Sequence, residues 1–184
     1  YMSLAAGDTA AYAEWVQKGR AMFPENPDLL RAELQLFFDN KEYDKALANL
    51  DQAIAQDPEN VVMYYNKGVI LQTEMKRLDD ALVAYERALE IDSMYSDALY
   101  MSSIIYIDSA NAIGEKMNAL PLNATKKYNA LAKEQKAVFQ VALPYLEKAK
   151  VSNPGDEQVE SALMQVYRAL KMYDKAKALQ EEQQ

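Results

Sequence analysis

The feature that most constrains this chain is a period. Tyr43-Asp44-Lys45-Ala46-Leu47, Leu50, Ala53-Ile54 and Asp57-Pro58 align with Leu78-Asp79-Asp80-Ala81-Leu82, Tyr85, Ala88-Leu89 and Asp92-Ser93, every pair 35 residues apart. Upstream, Val16, Gly19, Pro24 and Asn26 match Leu50, Ala53, Pro58 and Asn60 at a spacing of 34. Near the end, Ala142, Leu146, Ala149 and Pro154 carry the same pattern, and Tyr173-Asp174-Lys175-Ala176 opens another copy. A sustained period of about 35 residues is the signature of stacked supersecondary units, each too small to bury its apolar face alone.

Each half-unit reads as a helix. Apolar positions recur at three and four, and Ala46 and Ala53 fall seven apart on one face, where a small side chain lets two helix axes approach closely. Bulkier Leu50 and Tyr85 fill the space between such alanines. Asn26-Pro27, Asp57-Pro58 and Asn153-Pro154 punctuate the units, because a residue before proline avoids the α region. Composition agrees: 83 of 184 residues are Ala, Leu, Lys, Glu or Arg, with only 5 Gly and 6 Pro. The fold class is therefore all-α.

The absent residue types exclude much chemistry. Without Cys there is no disulfide framework, thiolate zinc site or cysteine nucleophile. Without His, the usual general base and metal ligand are missing. A net charge of −8 leaves no basic stripe for a phosphate backbone, so no nucleic-acid partner is expected. No apolar run approaches the length of a bilayer span, so no membrane insertion is expected either. No phosphate-binding glycine loop or metal-ligand spacing occurs, and neither cofactor nor metal is expected. The paired acids Asp79-Asp80 and Glu181-Glu182 lie at a helix start and in a terminal tail, so a carboxylate-based hydrolase is only a remote alternative.

Two sets of residues carry a family likeness. Tyr64, Lys67-Gly68 and Leu71 precede Ala81, Tyr85 and Ala88; Leu30, Leu34 and Phe37 precede Ala46, Leu50, Ala53 and Pro58. In these positions the chain resembles the tetratricopeptide repeat (TPR) family. The departures are Leu34 and Met164, which replace the small residue that Gly68 keeps and Ser103 partly keeps. The resemblance implies helix-turn-helix pairs, about nine helices in all, stacked into a right-handed superhelix with a concave groove. Some bacterial envelope-associated members look similar around Leu143-Pro144-Tyr145-Leu146-Glu147-Lys148-Ala149.

Within that frame, residues 1–26 read as a partial repeat, followed by repeats at 27–59, 60–94, 95–155 and 156–184. Residues 1–7 look like the tail of a first helix, so the chain is expected to be the C-terminal part of a longer protein. The absence of Cys leaves a cytoplasmic, periplasmic or secreted location equally open. The 95–155 unit is long. Ala88 to Ala149 spans 61 residues, about 27 more than one period, and the surplus is helical in composition apart from Pro121. It reads as an extension of both helices into a projecting hairpin, with Asn123 capping the second and Pro144 kinking it or removing one hydrogen bond.

In the family the first helices line the groove. Their residues not needed by the core are Asp28, Arg31, Gln35, Phe38 and Asp39, then Val62, Tyr65, Asn66, Val69 and Gln72. The later helices add Asp97, Tyr100, Met101, Ile104 and Asp108, then Gln158, Ser161, Gln165 and Arg168. Phe38, Tyr65, Tyr100 and Met101 are expected to form an aromatic and thioether patch suited to anchoring a peptide or partner protein. The carboxylate clamp of chaperone-associated members needs converging cations. Here Asn66 matches and Arg31 matches partly, but Val62, Asp97 and Met101 do not, so a neutral or basic partner is expected over an acidic one. Tyr65 and Tyr100 have an alternative role in covering neighbouring helices. The function expected is a non-enzymatic binding scaffold. The alternative is an assembly subunit acting through self-association, end helices or the hairpin. Trp15 is expected to cover the exposed end or to pack on an upstream repeat.

Overall fold

The structure is a computed structural model that describes residues 9–24 and 26–182. Residues 1–7, the expected tail of a first helix, lie outside the described residues. Among the described residues nine α-helices succeed one another: α1 (Thr9–Met22), α2 (Pro27–Asp39), α3 (Tyr43–Gln56), α4 (Val61–Val69), α5 (Leu78–Ile91), α6 (Ser96–Asn118), α7 (Thr125–Ser152), α8 (Glu157–Ala169) and α9 (Tyr173–Glu182). No strand occurs among them. The helices pack as successive antiparallel pairs, α2 with α3, α4 with α5, α6 with α7 and α8 with α9, and each pair rests on the next.

Local chemistry sets the ends. Asn26 accepts from the Asp28 and Leu29 backbone N–H groups at 3.0 and 3.1 Å, and Asp156 does the same for Gln158 and Val159 at 2.9 and 3.2 Å. These side chains satisfy N–H groups that a helix start leaves orphaned. Within three of the pairs the turn passes through a lysine in the left-handed region: Lys41 (φ 57°), Lys76 (φ 56°) and Lys171 (φ 60°). Neither glycine nor asparagine occupies these left-handed positions; even beside Asn40, which ends α2, it is Lys41 that takes the positive φ, so residue type alone does not mark where the left-handed residue falls.

The alanines of the period are the crossing points. Ala46, Ala81, Ala88, Ala142 and Ala149 are wholly buried, and Ala53 nearly so. Around them form two adjoining cores. One, built on Leu50, Ile70, Leu71 and Tyr85, spans α3 to α6; the other, built on Leu99, Phe139, Leu146, Leu163 and Val166, spans α6 to α9. A very close contact joins α4 to α5. The Tyr85 ring lies so close to Gly68 that a Cβ there would stand 2.4 Å from its Cε1, and the Tyr85 hydroxyl donates to Gln72 Oε1 at 2.8 Å. Past Val69, the chain opens into a π turn over Ile70–Glu74, where Met75 N–H reaches the Ile70 carbonyl at 3.2 Å. At the other end, Arg20 Nε donates to Glu33 Oε2 at 2.8 Å with both side chains mostly buried, and Asn49 Nδ2 donates to the same oxygen. That cluster ties α1 to α2 and α3.

The third pair is elongated. α6 has 23 residues and α7 has 28, against 13 for α2 and 14 for α3. The surplus turns carry the pair roughly 15–20 Å beyond its neighbours. Ala110, Ile113 and Met117 of α6 are buried along it, and Gln135 Nε2 donates across to the Ala110 carbonyl at 2.9 Å. One sequence expectation needs correction here, that for Asn123, and the one for Pro144 resolves to the second of its two forms, a single lost hydrogen bond. Asn123 does not cap α7, because the turn is closed by backbone: Ala124 N–H donates to the Pro121 carbonyl and Tyr128 N–H to the Ala124 carbonyl, both at 2.9 Å. Pro144 does not interrupt α7, which runs unbroken through it; lacking an N–H, the proline only leaves the Gln140 carbonyl without its helical donor.

Gly68→Ala is expected to destabilise the fold by about 1–3 kcal/mol, since overpacking against the buried Tyr85 ring outweighs the gain in helix propensity. Thermal melting of the purified variant measures it. A raised Tm would mean that the Tyr85 ring can slide without loss.

Candidate functional site

The first helices of the four pairs are α2, α4, α6 and α8, and they carry the residues marked out in the sequence. Between α2 and α4 lies a cleft of about 430 Å³. Its walls are Leu30, Arg31, Leu34, Gln35 and Phe38 on one side and Asn60, Val62, Met63, Asn66 and Val69 on the other, with Leu50 of α3 also lining it. The structure thus brings Arg31, Gln35, Phe38, Asn66 and Val69 together. The lining contains one cation and no carboxylate. Arg31 leans on Asp28 at 3.6 Å, with both side chains more than 80 % exposed, so the guanidinium is held loosely. Gln35 Nε2 donates to Asp39 Oδ1 at 2.8 Å. Val62 is 46 % exposed and is the most open apolar group of the cleft.

A second, wider cleft of about 990 Å³ runs along α8 and the end of α9, lined by Glu157, Glu160, Ser161, Met164, Gln165 and Arg168 with Gln180 and Glu182. Gln165, Ser161 and Arg168 meet here, among three carboxylates. Gln165 Nε2 also donates to Asn111 Oδ1 of α6 at 2.9 Å, bridging the last pair to the long hairpin. Gln158 is exposed but lines neither cleft.

The stretch between the clefts is packed, not open. Gln72 is buried and accepts the Tyr85 hydroxyl, so it is a core residue instead of a groove residue: the π turn rotates it inward. Tyr65 meets Tyr95 edge-on at 5.5 Å and Tyr85 at 6.0 Å, which places its ring in the seam between α4, α5 and α6. Phe38 lies edge-on to Tyr43 at 6.1 Å. Tyr100, Met101 and Ile104 are half-buried against the cores, while Asp97 and Asp108 are exposed. Leu30 and Leu34 are among the residues that carry the family likeness, and Met63 is not marked out by the sequence at all. All three line the first cleft, and Leu34 and Met63 also pack partly buried against the core.

Burial governs the phenols. Tyr65, Tyr95 and Tyr100 are each raised above the ordinary value of 10.0, first by desolvation and then by nearby carboxylates, Asp97 for the first two and Asp156 with Asp108 for Tyr100. Tyr167 is pushed up to about 12 by burial, the charge of Glu147 and its hydrogen bond to that carboxylate. Tyr85 is raised furthest, by desolvation and the neighbouring Tyr65. Among the described residues no group of three or more Asp or Glu side chains could hold a metal ion, and no helix is long and apolar enough to cross a membrane. Asp80 is engaged by Arg77 at 2.7 Å and Glu182 by Lys150.

Comparison with known proteins points the same way. A family model described as TPR repeat matches residues 35–74, and one described as tetratricopeptide repeat matches residues 61–93. No curated protein sequence matches the chain significantly. Among solved structures, MamA is similar over the whole of this chain and 98% of its own, with 18% identity and a TM-score of 0.62. A putative protein binding protein from Bacteroides ovatus ATCC 8483 is 17% identical, covering 87% of this chain and 88% of its own, with a TM-score of 0.65. The TPR2B domain of yeast Sti1, in its pHsp70 complex, is 16% identical over 79% of this chain and 96% of that one, with a TM-score of 0.52. Identities this low speak to fold.

The buried phenols predict an alkaline limit. A phenol that holds its proton more tightly folded than unfolded contributes stability that is complete below the unfolded value, near 10, and is lost as pH climbs through the folded value. Tm is therefore expected to fall once pH passes about 10, and to fall less steeply in Tyr85→Phe. Identical slopes for the two proteins in a melting series would show that Tyr85 ionises without cost.

Proposed function

This chain is a tetratricopeptide-repeat protein, and from that premise we propose that it is a non-enzymatic interaction scaffold that holds a peptide or partner protein against its first helices. The observation that carries the reading is the cleft between α2 and α4, where Arg31, Gln35, Phe38, Val62, Asn66 and Val69 surround an apolar floor. Amides and a loosely held guanidinium around such a floor suit an extended or helical segment: apolar side chains anchor it, and its backbone bonds to Gln35 and Asn66. The fold likeness to a putative protein binding protein and to a TPR domain in a pHsp70 complex supports a protein partner.

Charge argues for a neutral or basic one. The first cleft has no lining carboxylate, and the cleft on α8 sets Glu157, Glu160 and Glu182 against a single Arg168. Asp97 and Asp108 stand exposed on the helix between the two. An acidic tail would meet repulsion along most of this route, whereas a neutral segment with a basic end would meet matching surfaces in order. Tyr65, Tyr100, Met101 and Ile104 then act as the rigid shoulder between the clefts, since they are already half-buried by their own repeats.

Selection of random peptides on the immobilised protein tests this. The expected binders carry two or three apolar residues with neutral or basic flanks. Their affinity is expected to drop at least tenfold in Val62→Glu, with Tm unchanged because Val62 is largely exposed. Peptides that bind Val62→Glu as well as wild type would move the interaction away from the α2–α4 cleft.

One observation favours assembly as a second reading. Trp15, Met22 and Phe23 are 62%, 71% and 58% exposed at the α1 end, a far more apolar edge than α9 presents. Concentration-dependent mass in light scattering, abolished by Trp15→Glu with Phe23→Ser, is the expected result of that reading. A constant monomer mass would dispose of it.

A further inference from the structure

The hairpin that α6 and α7 form is electrically unlike the rest of the chain. Residues 112–137 carry five lysines (Lys116, Lys126, Lys127, Lys133 and Lys136) against Glu115 and Glu134, a net +3 in a chain of −8, which leaves −11 on the remainder. All five lysines are exposed. None has an ion pair or side-chain hydrogen bond among the described residues; of the ten lysines outside the hairpin, Lys18, Lys45, Lys67, Lys150, Lys175 and Lys177 each meet a carboxylate, and Lys41, Lys76, Lys148 and Lys171 do not. The charge is most concentrated at the tip. Lys116, Lys126 and Lys127 bracket the turn with no acid between them, Leu122 stands wholly clear of the protein at 105% exposure, and Tyr128 is 47% exposed.

We propose that this tip docks on an anionic phospholipid surface, with Leu122 entering the headgroup layer and Lys116, Lys126 and Lys127 meeting the lipid phosphates. Three features select a lipid surface as the occupant. The tip stands roughly 15–20 Å beyond the neighbouring pairs, about two Debye lengths at physiological salt, so the acidic body does not cancel its charge or repel the surface it meets. Its cations are all lysine, a residue depleted at protein–protein interfaces, where the planar arginine fork is favoured; hydrated, unanchored ammonium groups instead suit a fluid layer of phosphates that needs no fixed geometry. A leucine wholly clear of its own chain, with a half-exposed tyrosine in the first turn of the next helix, matches a surface that yields around it. The contact is peripheral, and it does not rest on the cleft reading above.

Sedimentation with vesicles tests it on the full chain. Vesicles containing phosphatidylglycerol are expected to bind the protein, vesicles of phosphatidylcholine alone to leave it in solution, and added salt to release it. Losing a lysine near an anionic surface weakens binding about fivefold, so Lys126→Gln with Lys127→Gln is expected to cost about 25-fold. Lys148→Gln with Lys177→Gln removes the same charge from the body and is expected to change binding little. Leu122→Ser is expected to weaken it independently of salt. Helicity and melting of the tip variants serve as the folding control. Equal binding to both vesicle types, or an equal loss in the body variant, would overturn the proposal. So would capture by polyglutamate with no vesicle binding, which would reassign the tip to an acidic protein.

Discussion

The whole stack depends on helices crossing where only a methyl group intervenes. Ala46, Ala81, Ala88, Ala142 and Ala149 are wholly buried at these crossings, and each sits where a longer side chain would push two axes apart. Close approach lets Leu50, Tyr85 and Leu146, one turn away, fill the remaining space completely. Gly68 under the Tyr85 ring is the extreme case of the same constraint. Because Tyr85 is so large, its hydroxyl reaches through the core, and Gln72 turns inward to receive it. The π turn at Ile70–Glu74 is the local adjustment that brings Gln72 there. One aromatic packed over a glycine thus determines both the interior of the second full repeat and which side chains remain on its outer face.

That packing also shapes the candidate site. The first helices cannot present every non-core residue to a partner, since the seam between α4 and α6 is filled by Tyr65 against Tyr85 and Tyr95. Two clefts result, one apolar and amide-rimmed between α2 and α4, the other rich in carboxylates along α8. The half-buried residues between them gain rigidity from their own repeats, so a ligand that touches them meets a surface with little ordering left to lose.

The long hairpin divides the chain electrically. Its outer half is held by Ala110, Ile113 and Met117 and by the bond from Gln135 to the Ala110 carbonyl, so it projects as a braced arm. Opposite charge on arm and body, separated by more than a screening length, lets one short chain present two surfaces of unlike chemistry without either neutralising the other.

The helical class, the period and the boundaries of most helices are legible in the chain without any neighbour. Those properties are local or periodic: alanines seven apart, a proline after Asn26 and another after Asn153. The surplus of the third pair is legible too, because a break in a period is as visible as the period. Which of the marked residues remain available on the surface is a matter of stacking. Gln35 and Asn66 line a cleft, while Gln72 is drawn into the core and Tyr65 into a seam, although in the sequence all four read alike as non-core residues of first helices. The lysines at φ near 60° and the cap that Asn123 does not provide belong to the same class. Spacing reports the face of a helix. Whether that face is open depends on the size and reach of a side chain many residues away, such as Tyr85, and that is fixed only when the repeats stack.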